Sequence, residues 1–376
     1  MGITMKKYGL QIPVSVKNHE ETLKKSYGLE NMESFRGAII FGTGILGVKT
    51  ARLLKDLKID AAAFSDNDSS KWGKNIKGLP VIPPRMIVER EYSRIIIASK
   101  YVRDIYFQLK KMQLERIVPH YVISVIFPDI LPNPLHSGAM ASIIEGMSGI
   151  EKVYARMEDE ESKNLFIRLL RFRVTLSPED LPAREAGQYY PGKFWKLSKN
   201  ERYVDVGAFD GDTLKDFITF TKGSFRKYIA LEPDKDNFLK LCANIPVKHV
   251  MKVIPLLAGA GSAMKDAYFS AFGRDDSSVS ETGTDKIRIV ALDSLEGSRD
   301  FTTLKIDVEG YEPEVLKGAK KCIKTGMPKL AVCVYHRPDH LWRLPLQILK
   351  YNGNYKFYLR HHEPEIFGTV LYGVKD

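Results

Sequence analysis

The sequence predicts an α/β protein of two doubly wound units with mostly parallel sheets. Three observations lead there. From residue 38 to the end, short apolar runs of strand length alternate with amphipathic stretches of helix length. Glycine turns follow such a run twice, at Gly42-Thr-Gly44-Ile-Leu-Gly47 and at Gly207-Ala-Phe-Asp-Gly211. Each turn is followed, roughly 20 residues on, by an acid closing the next apolar run, Asp66 and then Glu232.

A chain of 376 residues accommodates two domains and a linking segment at ~150 residues per domain. The expected boundaries are 1–120, 121–200 and 201–376. Apolar content of 44% with 27% charged residues is that of an ordinary globular protein. No run approaches the ~18 apolar residues of a membrane span, and the N-terminus lacks an apolar leader. Cys242, Cys322 and Cys333 have no zinc-like spacing and an odd count, which fits a reducing compartment. A cytoplasmic protein is therefore expected. The net charge is +11, and residues 1–130 carry most of it, 21 Lys and Arg against 13 Asp and Glu. A solvated basic surface is the simpler reading; attraction to a polyanion is the sharper one.

Residues 1–35 read as a polar, helical lead-in. Strands are predicted at Ala38–Phe41, Ala61–Phe64, Pro80–Ile82 and Arg94–Ala98, with helices through Leu57 and over Val102–Met112. Gly42, Gly44 and Gly47 sit between a strand and a helix, where glycines allow a ligand's phosphates to approach backbone N–H groups. Asp66 lies where a carboxylate meets ribose hydroxyls. The stretch is thus a compact Rossmann-like domain, expected to hold a nucleotide or nucleotide-sugar, or else to act as a structural platform. Tyr106 and Lys110 have a Tyr-x-x-x-Lys spacing, but they follow the glycines too closely for dehydrogenase chemistry and fit one face of a surface helix.

Pro119–Leu135 reads as a packed linker and Ile150–Phe172 as one long helix whose solvated face is Glu158-Asp-Glu-Glu161. Tyr189-Tyr-Pro191 and Phe194-Trp195 suit either core packing or a pocket wall. From Arg202 the alternation is regular. A strand to Val206 carries Asp205. The turn with Gly207 and Gly211 follows, and Asp212 and Thr213 open a helix. The next strand, Phe225–Leu231, ends at Glu232. Val250–Pro255 is the third, and Ala258 lies in the small-residue stretch after it. Lys265–Phe272 and Ile287–Leu292 form a β excursion joined by the polar loop Arg274–Ser278. The strand before Asp307 ends in two acids, Asp307 and Glu309. Lys329–Val334 runs into Tyr335-His336. Tyr355–His361 and Gly368–Val374 then pair antiparallel at an edge.

Asp205-Val-Gly-Ala-Phe-Asp-Gly-Asp-Thr213, Leu231-Glu-Pro233, Leu304-Lys-Ile-Asp-Val-Glu-Gly310, Glu314-Val-Leu-Lys-Gly318 and Tyr335-His336 resemble the signature blocks of the FkbM-type methyltransferase family over residues 200–376. The resemblance implies a seven-stranded class I methyltransferase fold. It further implies O-methylation by S-adenosylmethionine (SAM) of a sugar hydroxyl in a glycan, polysaccharide precursor or secondary metabolite. Carried over by position, Asp205, Gly207, Gly211, Asp212, Thr213, Glu232 and Ala258 would sit at SAM, Glu232 on its ribose. Asp307, Glu309 and His336 would face the transferred methyl. Phe209 stands where many methyltransferases have a glycine, which puts the local backbone path in question. A sugar hydroxyl needs a proton acceptor, and His336, with an unperturbed pKa of ~6.5, is the best-suited residue type. Nothing in the spacing calls for a metal and none is expected, although a divalent ion on Asp307, Glu309 and a further acid, as in some O-methyltransferases, stays open. The partner is then a small-molecule or glycan acceptor, and a homo-oligomer stays open. Nucleic acid is not expected, since no RNA-binding signature accompanies the basic N-terminal part. An RNA methyltransferase and a non-catalytic nucleotide-sensing assembly protein are the competing readings.

Overall fold

The computed structural model describes residues 4–5, 10–133, 135–136, 138–192, 194–270, 278–280 and 285–375. They fall into two compact units, one of Met1–Glu145, Ile167–Ala183 and Pro364–Ile366, the other of Gly146–Phe166, Arg184–Glu363 and Phe367–Asp376. Among the described residues no helix is long and apolar enough to cross a membrane.

In the N-terminal unit a two-stranded antiparallel sheet, Thr4–Met5 with Leu10–Gln11, precedes helix α1, Val16–Tyr27. Ser15 Oγ caps it by accepting from the Asn18 amide at 3.2 Å, and Gly28 at φ 62° ends it. Then come β1 (Ile39–Phe41), α2 (Ile45–Asp56), β2 (Ala63–Ser65), β3 (Leu79–Ile82), β4 (Ile95–Ile97), α3 (Val102–Lys111), β5 (Ile117–Pro119) and α4 (His120–Ile126). The parallel strands lie in the order β3-β2-β1-β4-β5, with Asn75–Ile76 antiparallel on the outer edge. Strand order thus reverses beside β1, the place where such sheets take ligands. Ile39, Ile40, Phe41 and Ile95–Ile97 are fully buried, as apolar runs in a two-sided parallel sheet must be. Of the linker expected at Pro119–Leu135, Pro119 ends a fifth strand and His120–Ile126 form a helix, while its described residues from Phe127 on lie in no helix or strand. The proline that reads as a loop marker has φ −61° and serves as the helix N-cap.

The long helix expected over Ile150–Phe172 is two, α5 (Ala139–Tyr154) and α6 (Glu160–Thr175). Between them Met157 bridges to Phe357, and the Glu158 amide donates to the Phe357 carbonyl at 2.9 Å. Asp159 then accepts from the Ser162 amide at 2.8 Å and starts the next helix. The acids expected as a solvated face are partly used: Asp159 and Glu161 lie 2.6 and 3.0 Å from the guanidinium of buried Arg360. That partner sits about 200 residues away in sequence, so no local pattern announces it.

The C-terminal unit contains β6 (Arg202–Val206), α7 (Asp212–Phe220), β7 (Lys227–Glu232), α8 (Lys235–Asn244) and β8 (Val253–Leu257). Next are β9 (Gly259–Ala260), β10 (Lys265–Ser270), β11 (Ser278–Ser280) and β12 (Asp285–Val290). The chain ends with β13 (Thr303–Ile306), α9 (Glu312–Gly318), β14 (Lys329–Cys333), α10 (His340–Tyr351), β15 (Tyr355–His361) and β16 (Thr369–Lys375). Seven strands form one sheet in the order β8-β7-β6-β13-β14-β16-β15, parallel except for β16, which runs antiparallel to both neighbours. The β excursion is a separate sheet, β9-β12-β10-β11; residues 274–277 of the loop expected there lie outside the described residues. Stacked Tyr203 and Tyr228, centroids 5.1 Å apart, and Phe217 build the core against β6. Tyr190 and Trp195 join that core, and Phe194 stacks on Tyr358 at 3.9 Å.

Candidate active site

The site is built at the carboxyl ends of β6, β7, β13 and β14. Asp205, near the end of β6, has no exposed surface. One carboxylate oxygen lies 3.0 Å from Lys305 Nζ and the other accepts from the Tyr228 hydroxyl at 2.6 Å. Lys305 also donates to the Gly207 carbonyl at 2.6 Å. Burial works to lower the Lys305 pKa, but the Asp205 and Asp307 carboxylates outweigh it and hold the ammonium charged. Asp205, expected at the cofactor, thus anchors the turn from inside the unit.

The turn itself needs glycine. Gly207 has φ 82°, and a Cβ there would lie 1.8 Å from the Asp307 carbonyl oxygen. Phe209, which replaces the usual glycine, adopts the left-handed conformation at φ 49°, so the backbone path is kept with a strained residue in it. The residue is 41% exposed. Its amide donates to Glu232 Oε2 at 2.8 Å, and the Asp234 amide donates to Oε1 at 2.9 Å. Burial pushes the Glu232 carboxyl up to about 7. Gly211, φ 90°, caps α7, and Asp212 Oδ1 accepts from the Thr213 amide at 2.6 Å. Ala258 is buried just beyond β8.

Asp307, Glu309 and His336, picked from the sequence, come together. His336 Nε2 lies 3.4 Å from Asp307 Oδ1 and 3.3 Å from Glu309 Oε2. Its other nitrogen, Nδ1, is 2.7 Å from Glu312 Oε1. Glu312 is wholly buried at the start of α9; Oε1 accepts from the Val308 and Gly310 amides, and Oε2 is 3.2 Å from His340 Nδ1. Burial would lower the His336 pKa, yet Glu312, Asp307 and Glu309 together push it up to about 9. The imidazole expected near ~6.5 therefore holds its proton at neutral pH. Asp307 also accepts from the Tyr189 hydroxyl at 2.8 Å, and the Tyr335 hydroxyl is 3.4 Å from its other oxygen. Glu309 reaches the cluster from a left-handed backbone, φ 51°. Glu312, Lys305, Tyr189 and Tyr335 were not singled out for these contacts. A lysine in a buried strand, Leu304-Lys-Ile306, was the one usable signal.

In the N-terminal unit Gly42 has φ 109° and Gly47 packs so closely that a Cβ would lie 1.9 Å from the Gly42 carbonyl oxygen. Gly44 caps α2 with open space beside it. Asp66 Oδ2 accepts from the Thr43 amide at 2.9 Å, from the Thr43 hydroxyl and from Lys71 at 3.2 Å, and Oδ1 accepts from the Asp68 amide at 2.9 Å. Burial raises its pKa, but those hydrogen bonds outweigh it and hold the carboxyl below its usual range. The carboxylate expected on a ribose is taken up by the turn itself. A cavity of about 1100 Å³ in this unit lies elsewhere, lined by α1 with Arg94, Lys110 and Arg116. Tyr106 donates to Glu179 at 2.9 Å and has no catalytic neighbour there.

Residues 205–359 match the family described as the methyltransferase FkbM domain, and the whole glycine-turn and acid–histidine arrangement except Tyr189 falls inside them. That stretch of the C-terminal unit is similar to the methyltransferase FkbM domain. Residues 35–118 match a different family, C2185-like, N-terminal. The crystal structure of methyltransferase FkbM from Methylobacillus flagellatus is similar over 96% of this chain and 100% of its own, with 22% identity and a TM-score of 0.74. That likeness extends the shared fold beyond residues 205–359. A UDP-D-quinovosamine 4-dehydrogenase from Vibrio fischeri aligns over 22% of this chain and 76% of its own, with 24% identity and a TM-score of 0.20. A Streptococcus mutans protein solved with S-adenosylhomocysteine (SAH) aligns over 47% and 90%, with 12% identity and a TM-score of 0.28. Likeness of that extent says nothing of activity. No curated protein matches the chain.

Proposed function

We propose that the FkbM domain transfers a methyl group from SAM to a hydroxyl oxygen, on a sugar of a glycan, polysaccharide precursor or secondary metabolite. The observation that carries this is one edge. The glycine turn, Glu232 and the Asp307–Glu309–His336 cluster all lie at strand ends next to the reversal of strand order beside β6, where open α/β sheets bind ligands.

The residues present fit SAM. Gly207 and Gly211 shape the turn, and Asp212 and Thr213 open α7 beside it. Glu232 is held by the Phe209 and Asp234 amides, and among the described residues no cation lies in hydrogen-bonding range of it. A ribose diol donating to it would favour the ionised form and draw its pKa down from about 7. Ala258 leaves room for a flat base. The carboxylates of Asp307 and Glu309 suit a cationic cofactor. SAM, when bound, supplies a methyl carbon already activated by its sulfonium: the new C–O bond forms as the C–S bond breaks, and the electron pair leaves on sulfur as SAH. The chain's task is to place the hydroxyl and take its proton. As the cluster stands, Asp307 or Glu309 is the acceptor, because His336 is already protonated.

The sugar acceptor rests on the family resemblance, and the oxygen preference on acids standing where base-amine enzymes carry an Asn/Asp-Pro-Pro motif. A nucleotide in the N-terminal unit finds no support in Asp66, whose oxygens the turn occupies. Calorimetry with SAM and SAH tests the main reading. Binding at micromolar affinity is expected, weakened tenfold or more in Glu232→Ala. Unchanged affinity in that variant removes the ribose contact, and no binding of SAH to the wild type removes the function.

A further inference from the structure

We propose that the large cavity of the N-terminal unit binds the diphosphate group of a small organic molecule, held by Arg94 and Arg116 with Lys25 and Lys110 beside them. The cavity, about 1100 Å³, lies wholly within that unit and is of the size that small ligands fill. It sits at the amino edge of the sheet, opposite the glycine turn. Arg94 stands one residue before β4 and Arg116 one residue before β5. Ile95 and Ile117 pair in register, so the two arginines enter from adjacent strands. Helix α1 supplies another wall, and the end of α6 with the turn after it a third.

Four cationic side chains line the cavity against one acid, Glu115, which leaves three net positive charges. Among the described residues no carboxylate oxygen lies within 4.0 Å of any of the four. Glu179 and Asp180 are near but engaged: Tyr106 donates to Glu179 at 2.9 Å and Thr175 to Asp180 at 2.7 Å. Arg94 is fixed without being neutralised. Its Nη1 donates to the Ser93 carbonyl at 2.9 Å and its Nη2 to the Gly28 carbonyl at 2.6 Å, while Nε is buried with no hydrogen-bond partner. Burial, and then the Arg116 charge, hold its pKa below the usual guanidinium value. Arg116 takes a left-handed backbone, φ 54°, with its carbonyl accepting from the Ile95 amide at 3.0 Å. Strain of that kind gathers where a side chain must be aimed.

Two guanidinium groups brought together with no acid between them are relieved by an anion. Their planar forks match phosphate oxygens in pairs. A single carboxylate falls short of three positive charges, and a diphosphate meets them. Leu23, Ile117, Val174 and Pro178 line the rest and suit the uncharged part of the ligand. A chamber of this shape favours a small molecule over a polyanion strand, which needs a groove that tracks its backbone.

The test is calorimetry of the full-length protein with inorganic pyrophosphate, citrate and adenosine diphosphate, in the absence of divalent metal. We expect one saturable pyrophosphate site, weakened roughly tenfold or more in Arg116→Gln and in Lys110→Gln. Both alter exposed side chains, so the fold and the SAM affinity of the other unit should be kept. Lys55→Gln, an exposed charge on α2 outside the lining, should bind as the wild type does. Adenosine diphosphate should bind more tightly than pyrophosphate and be weakened by the same two variants. No saturable pyrophosphate binding overturns the proposal. So does wild-type affinity in both Arg116→Gln and Lys110→Gln, or an equal loss in Lys55→Gln. Citrate binding as tightly as pyrophosphate removes the diphosphate, and displacement of pyrophosphate by single-stranded RNA with a steep salt dependence replaces the small molecule with a polyanion.

Discussion

The two units solve the same geometric problem and put different chemistry on it. Each has a parallel sheet with its first strand in the middle, a glycine turn after that strand, and an acid on the next strand that binds an amide of the turn. Thr43 donates to Asp66 at 2.9 Å and Phe209 donates to Glu232 at 2.8 Å. The acids differ in what else they meet. Asp66 gains a hydroxyl and an ammonium, so its charge is satisfied within the turn. Glu232 gains only a second amide and is pushed up to about 7 by burial. The next strand end differs more. β4 runs into Ala98-Ser-Lys100, while β13 runs into Asp307-Val-Glu309, with His336 following β14. The glycine turn is therefore a feature of the fold, and the two units differ at the neighbouring strand ends.

The sharpest way to break that comparison is at the turn. Gly207→Ala places a Cβ 1.8 Å from a backbone oxygen at φ 82°. Neither the carbonyl nor the left-handed backbone can yield cheaply, so a loss of about 3 kcal/mol or more is expected. Urea unfolding of the purified variant measures it. Near-wild-type stability would show that β6 and β13 are not pressed together as described.

A second contrast concerns buried glutamates. Glu312 lies between His336 and His340; burial raises its pKa, but the two imidazoles outweigh that and hold the carboxyl well below its usual range. Glu365, in the N-terminal unit, lies 4.0 Å from His120, and burial pushes it up to about 8. Native Glu365 keeps a proton that the unfolded chain releases above the ordinary value of 4.5. Its stabilisation is complete below that value and is lost as pH rises through about 8. His120, lowered by burial to about 4 from 6.5, works in the opposite sense but only below 6.5. Between pH 6.5 and 8 Glu365 contributes on the order of 2 kcal/mol to the loss, beside His336, raised to about 9, and Glu232, raised to about 7, whose stabilisation also falls there. Unfolding free energies across that window should fall in both proteins, and less steeply in Glu365→Gln by about that amount. An equal slope in both proteins would refute the assignment.

Much of this was legible before the structure, and the failures have physical causes. Strand, glycine turn and following acid are local patterns, and they located Gly207, Gly211 and Glu232. Asp307, Glu309 and His336 were legible because each stands at the end of an apolar run. Glu312 was missed because an acid at a helix start looks like ordinary capping, and its bond to His336 spans 24 residues. Lys305–Asp205 and Tyr189–Asp307 are contacts across 100 and 118 residues, which no periodicity encodes. The break between α5 and α6 was hidden for the same reason, since a distant strand holds Met157 and Glu158. Phe209 misled in the other direction. A missing glycine suggested a changed path, yet the Glu232 carboxylate holds the amide of an aromatic residue in the glycine conformation.

The smallest effect sharpens the comparison most. Gly44 has φ −73°, and a Cβ there would meet nothing within 4 Å. Alanine fits that backbone. It forfeits a few tenths of a kcal/mol as an N-cap and regains a similar amount by restricting the unfolded chain. Gly44→Ala should therefore melt within about 0.5 kcal/mol of the wild type, with SAM affinity unchanged. Gly47→Ala is its control, because a Cβ there lies 1.9 Å from the Gly42 carbonyl oxygen and must destabilise the unit. If Gly44→Ala instead lost more than 1 kcal/mol in freshly purified protein and nothing after extensive dialysis, the space beside Gly44 would be holding a ligand that stabilises the native state by mass action. The N-terminal turn would then be a binding site after all, and the contrast with the C-terminal turn would be one of ligand rather than of use.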